Sequence, residues 1–172
     1  MRGAGKTTVG RELANLLKLP FVDTDSEIER HTGRTIADIF AIDGEAAFRR
    51  LEVDAVRDAV AQTPCVISVG GGAVLDVGNV DRLKRTAVVV WLFAPVEVLC
   101  NRVSRDAASP RTRPSLTEHG GLDELRTLLA RREPLYRAAA DVMFDTGTST
   151  PGVIARALQM QLADFARGGL DA

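Results

Sequence analysis

Gly3-Ala4-Gly5-Lys6-Thr7-Thr8 gathers the residue types that hold phosphate. Glycines let backbone N–H groups crowd inward around phosphate oxygens, in conformations that a side chain would forbid. A helix beginning near Lys6 adds its unpaired N–H groups and positive dipole end. Lys6 would reach the β- and γ-phosphates of a nucleotide, and the Thr7 hydroxyl would ligate Mg²⁺. The full pattern is Gly, four residues, then Gly-Lys-Ser/Thr. Counting back from Gly5 puts its first glycine one residue before Met1, and no strand precedes the loop. We therefore expect translation to start upstream, or the chain to be cut short, with the central first strand of the sheet left off. A Gly-x-Gly-Lys run also occurs in ordinary turns, so the remaining chain has to carry the argument further.

Asp23-Thr24-Asp25 offers two carboxylates that suit Mg²⁺ organisation and acceptance of a proton from an attacking hydroxyl. A capping and turn cluster is the plainer reading. Gly70-Gly71-Gly72 is harder to dismiss, because one glycine suffices to end a strand and three suggest close approach of backbone to a ligand. Arg113 and Arg132 supply cations whose planar forks fit an anionic substrate. Arg49 and Glu52 share a helix face, and a surface salt bridge is the expectation for them.

With 172 residues, 45% apolar and 26% charged, the chain is expected to make one soluble globular domain. A net charge of −1 gives no reason to expect a nucleic-acid or anionic-membrane surface. Cys65 and Cys100 are too few for a disulfide framework or a zinc site, which suits a reducing compartment. His31 and His119 are isolated and read as surface polar residues. There is no signal pattern and no apolar run of membrane-spanning length, so the expectation is a cytoplasmic protein without membrane or nucleic-acid partners.

The elements that position these residues alternate. Val9, Leu13, Leu16 and Leu17 recur at helical spacing after the loop. Residues 20–24 read as a strand, with Thr24 capping a helix through a Thr24/Glu27 box, and Thr35 caps the next helix. Gly44 breaks that helix, and a long helical pattern follows to about Gln62. Residues 65–69 and 87–93 are continuous apolar strands, expected to be covered on both faces of a parallel sheet. A short helix spans 80–84, and Pro95 opens another that runs to about Arg105. Residues 106–121 have no apolar period and read as a lid. Residues 122–140 form a helix kinked or split at Pro134, 142–145 a last strand, and Pro151 opens a final helix. This order predicts an α/β doubly wound parallel sheet with its ligands at the carboxyl ends of the strands.

Taken in order, several segments resemble the shikimate kinase family across nearly the whole chain. They are Asp23-Thr24-Asp25, Thr32 to Phe40, Gly44-Glu45 with Phe48-Arg49, Gly70 to Val74, Arg113-Pro114 and Pro134-Leu135-Tyr136. The Gly44…Phe48-Arg49 and triple-glycine pieces are the specific ones. The resemblance implies a single domain over 1–172, a three-layer α/β/α kinase fold like that of nucleoside monophosphate kinases, and a mobile lid at about 106–121. It implies ATP-dependent phosphorylation of the 3-hydroxyl of shikimate, with Mg²⁺, in a monomeric enzyme of aromatic amino-acid synthesis. Gly3, Ala4, Gly5, Lys6, Thr7 and Thr8 would hold the nucleotide, and Thr7 the metal, with Asp23 acting through water. Asp25 would bind the substrate hydroxyls and act as general base. Arg49 and Arg132 would clamp the shikimate carboxylate, with Gly70, Gly71 and Gly72 lining the pocket. Arg113 would contact the transferring phosphate from the lid, while Arg102 and Pro151 would border adenine. The lid departs from the family's Arg-Pro-Leu-Leu, reading Arg113-Pro114-Ser115-Leu116.

Two other readings stand beside this one. A gluconate-type kinase shares the loop, although Arg49 with the triple glycine suits a carboxylated cyclic polyol better. A catalytically inactive, kinase-derived binding domain fits the incomplete loop but does not need Lys6, Asp25, Arg49, Arg113 and Arg132 together.

Overall fold

Apolar spacing sets the packing of the first helix. In the computed structural model, which describes residues 1–62, 64–105 and 122–168, α1 spans Lys6–Leu17 and buries Val9 and Leu13. That stripe packs with Ile154, Ala155 and Leu158 of the last helix, α7 (Pro151–Gly168). The same core takes in Trp91 and Leu92 of β3 (Val90–Phe93), Val142 of β4 (Val142–Asp145) and Leu99 of α5 (Val96–Arg105). Burying each such side chain contributes about 1.5–3 kcal/mol, so this shared core anchors the phosphate-loop helix.

A second core fixes the other side of the site. Ile28 of α2 (Thr24–Thr32) meets Ile36, Ile39 and Phe48 of α3 (Ile36–Val60). The Phe40 and Phe48 rings lie 4.7 Å apart. Helix α3 changes direction at Gly44 (φ 79, ψ 173), as the sequence leads one to expect. Thr35 caps it by accepting a hydrogen bond from the Asp38 N–H.

The strands are parallel throughout. β1 (Phe21–Asp23) pairs with β2 (Val66–Ser68), aligning Asp23 with Ser68. β3 pairs with β4, aligning Phe93 with Asp145. These are two separate two-stranded ladders, and among the described residues no strand pairs with the second edge of β2 or β3. The strands are also shorter and less covered than their apolar runs predict. β2 has Val66 and Ile67 half-buried and only Ser68 buried. One neighbouring strand supplies only one row of hydrogen-bond partners, so the run ends where that pairing ends.

Several local expectations are corrected. Asp23, not Thr24, caps α2: its Oδ1 accepts from the Asp25 and Ser26 N–H groups. Thr24 is buried instead and turns toward the end of β2. Helix α4 begins earlier, at Val77–Thr86, because Asp76 accepts from the Asn79 N–H. A 3₁₀ turn over Ala73–Leu75 precedes it. Helix α6 (Leu122–Ala139) runs as one element through Pro134, so of the expected kink or split the split does not occur. Among the described residues, no helix is long and apolar enough to cross a membrane.

Candidate active site

The phosphate loop lies against α5. Gly3 has φ 73, and a Cβ there would come within 2.7 Å of the Leu99 carbonyl oxygen, so this position admits only glycine without movement of the backbone. Gly5 caps α1 in the left-handed region, and Lys6 is the first helical residue. The Lys6 ammonium donates to the Met1 carbonyl at 3.1 Å. Ala4 is fully buried, while Thr7 and Thr8 face outward.

Thr7 ties this loop to β1. Its hydroxyl donates to Asp23 Oδ2 at 2.9 Å, while Asp23 Oδ1 caps α2. Asp23 therefore fills both roles that the sequence left open, cap and loop partner. Hydroxyl and carboxylate oxygens side by side next to Lys6 form a hard-oxygen donor set of the kind Mg²⁺ takes. Asp25 stands in the first turn of α2, just beyond the end of β1.

The triple glycine gathers the remaining groups. The Gly70 N–H donates to the Thr24 hydroxyl, which itself lies 3.4 Å from the Ser68 carbonyl. Gly71 lies beside Met1, within van der Waals reach of a notional Cβ. Its carbonyl accepts from Tyr136 Oη at 2.6 Å and from Arg132 Nη1 at 3.2 Å. A Cβ at Gly72 would run into the Arg49 guanidinium, with Cζ only 2.7 Å away. Arg49 and Arg132 thus converge on Gly71-Gly72 from α3 and α6.

Arg49 and Glu52 are not the surface pair expected from their spacing. Arg49 Nη1 donates to Glu52 Oε2 at 2.7 Å, and Glu52 is 2% exposed. Its other oxygen is buried with no hydrogen-bond partner among the described residues. Burial pushes the Glu52 carboxyl above its ordinary pKa of 4.5, against the pull of the Arg49 hydrogen bond and charge. Arg49 also donates from Nε and Nη2 to Glu45. Burial works against the guanidinium charge, but the bonds to Glu45 and Glu52 outweigh it and raise the Arg49 pKa further. Glu52 was findable in the sequence, since it falls on the Phe48–Glu52–Val56 stripe that α3 turns inward.

On the other side of the loop, Arg102 of α5 donates to the Gly3 carbonyl and to both oxygens of Thr146. Pro151 is the first residue of α7, at the end of the loop that Thr146 opens. The structure therefore brings together Gly3 to Thr8, Asp23, Asp25, Arg49, Gly70 to Gly72, Arg102 and Arg132. Arg113 and the expected lid over 106–121 lie outside the described residues. Sequence reasoning gave Thr24 only a capping role and gave none to Tyr136 or Thr146; all three act through backbone carbonyls and amides of distant segments.

A parallel α/β fold with a phosphate loop, a hydroxyl–carboxylate pair and an arginine-lined glycine pocket defines a kinase of small molecules. The family model for shikimate kinase matches residues 2–163. A shikimate kinase of Aromatoleum aromaticum is 41% identical over 165 residues, covering 96% of this chain and 92% of that protein. One from Cereibacter sphaeroides is 45% identical over 150 residues, covering 87% and 73%. The solved structure of shikimate kinase from Acinetobacter baumannii in complex with shikimate superposes with a TM-score of 0.86. It is 40% identical and covers 94% of this chain and 89% of that one. The chain belongs to the shikimate kinase family. The gluconate-type reading gives way to that assignment.

Proposed function

We propose that this chain transfers the γ-phosphoryl group of ATP to the 3-hydroxyl of shikimate through the residues gathered above. The observation that carries the reading is the convergence of Arg49 and Arg132 on Gly71-Gly72, beside the phosphate loop. Two planar forks over a wall without side chains suit a flat ring bearing one carboxylate. Fixed there, the substrate would turn its hydroxyls toward Asp25 in the first turn of α2.

Asp25 would orient the 3-hydroxyl and accept its proton as the new P–O bond forms and the bond to ADP breaks. Lys6 and the N–H groups of residues 3–8 would hold the β- and γ-phosphates, neutralising charge as the phosphoryl group moves. Thr7 and Asp23 would hold Mg²⁺, Asp23 through water, and the ion would supply further charge neutralisation on the phosphates. Arg113, on the expected lid over 106–121, would contact the transferring phosphate and help exclude water. Arg102 and Pro151 would border adenine. The proposed enzyme is cytoplasmic, a reading supported by its two free cysteines, and monomeric, as the family resemblance implies.

A coupled assay of ADP release tests the assignment with shikimate against gluconate, each with ATP and Mg²⁺. Turnover with shikimate alone is expected, and turnover with gluconate alone would overturn it.

A further inference from the structure

Arg102 spans two segments that nucleotide binding requires and that the sequence keeps far apart. Its Nη1 donates to the carbonyl of Gly3, in the phosphate loop, at 3.3 Å. The same nitrogen donates to Thr146 Oγ1 at 3.1 Å, and Nη2 donates to the Thr146 carbonyl at 2.6 Å. Thr146 is 1% exposed and uses its hydroxyl in both directions. As it accepts from Arg102, it donates to the Phe93 carbonyl at the end of β3, 3.1 Å away. The Thr146 N–H donates to that same carbonyl at 2.7 Å. A hydroxyl whose proton is committed to Phe93 turns its lone pairs toward Arg102, so the guanidinium has one orientation available.

We propose that Thr146 is a positioning residue for the nucleotide: acting through Arg102, it fixes the spacing between the phosphate loop and the segment leading to Pro151. This inference rests on the proposed placement of ATP between those segments. A nucleotide is held at both ends, so an error in that spacing costs affinity at one end or the other. Shikimate is held by α3, α6 and the triple glycine, none of which the Thr146 hydroxyl touches. Loss of the hydroxyl therefore weakens ATP and spares shikimate.

Thr146→Val keeps the shape and removes both hydroxyl bonds, while Thr146→Ser keeps the bonds. T146V is expected to raise KM for ATP about tenfold, the scale of one hydrogen bond to a charged group. KM for shikimate should stay within about twofold, and T146S should match the parent enzyme for both substrates. Because Thr146 acts through Arg102, the double variant R102K/T146V should lose little beyond R102K alone. T146A replaces the valine variant in this cycle if T146V does not fold. Unchanged ATP KM in T146V, equal rises for both substrates, failure of T146S to match the parent, or additive losses in the double variant would each overturn the proposal. If R102K and K6A weaken ATP while T146V does not, the nucleotide site stands and only the role of Thr146 falls. If none of the three affects ATP, the site assignment itself fails.

Discussion

Glu52 lies beneath Arg49, with Oε2 2.7 Å from Nη1 and the carboxylate closed off from water. Arg49 would therefore meet the proposed substrate carboxylate with one edge already fixed by a buried anion. Glu52→Gln keeps the shape and removes the charge, so the fork loses the partner that orients it. KM for shikimate is expected to rise about tenfold, the scale of a lost charge-assisted hydrogen bond, with KM for ATP unchanged. Steady-state kinetics with each substrate varied in turn would show this split, and an equal effect on both would refute it.

The same carboxylate gives a pH dependence whose sign can be worked out. Burial raises the folded-state pKa of Glu52 above 4.5, so between 4.5 and the raised value the folded chain holds a proton that the unfolded chain has released. Stability from this group is then greatest below 4.5 and falls as pH rises through that window. Shikimate affinity runs the other way, because protonation takes the anion from Arg49. Urea unfolding and shikimate titration across this window should move in opposite directions in the parent enzyme. Both slopes should flatten in E52Q.

Gly72 leaves room for Arg49 and for little else. A Cβ at that position would run into the guanidinium, while the backbone φ of −96 is open to any residue. Gly72→Ala should therefore act by displacing Arg49 rather than by straining the chain. Overpacking of this kind costs about 1–3 kcal/mol, and we expect it to appear mainly as weaker shikimate binding in calorimetry. A variant with lowered melting temperature and parental shikimate affinity would contradict this account.

Asp23 separates structure from chemistry at one side chain. Asparagine caps a helix about as well as aspartate, so Asp23→Asn should leave the α2 cap in place and cost little stability. It removes the charge beside Thr7, which the proposed Mg²⁺ site requires. The expected result is a melting temperature within a few degrees of the parent and a higher Mg²⁺ concentration for half-maximal rate. Asp23→Ala should lose about 1 kcal/mol of stability as well, through the missing cap.

Much of this arrangement was legible where one residue type had one physical use. The Thr35 cap, the turn at Gly44 and the helix after Gly5 follow from local rules, and each stands where the sequence puts it. Thr24 was misread because Asp23 and Thr24 are both good caps; only the contact with Gly70 shows which one turns inward. The burial of Glu52 was obscured by its spacing from Arg49, which fits an exposed pair equally well. Thr146 gave no signal at all, since its partners are one backbone carbonyl 53 residues away and a guanidinium 44 residues away.

Lys6 offers the sharpest division between binding and turnover. It is the first residue of α1, half-exposed, with its ammonium on the Met1 carbonyl 3.1 Å away. Alanine is the best helix former, and a surface position of this kind tolerates substitution within about 0.5 kcal/mol. Lys6→Ala should therefore fold as the parent does. What it loses is the cation that the proposed mechanism sets where charge builds on the transferring phosphate, and removing one such group costs about 10²–10³-fold in kcat. Arg49 and Arg132 are untouched, so shikimate should still bind the variant with parental affinity by calorimetry. A Lys6→Ala enzyme that keeps its kcat would mean that phosphate is held elsewhere, and the loop at residues 3–8 would lose its assigned role.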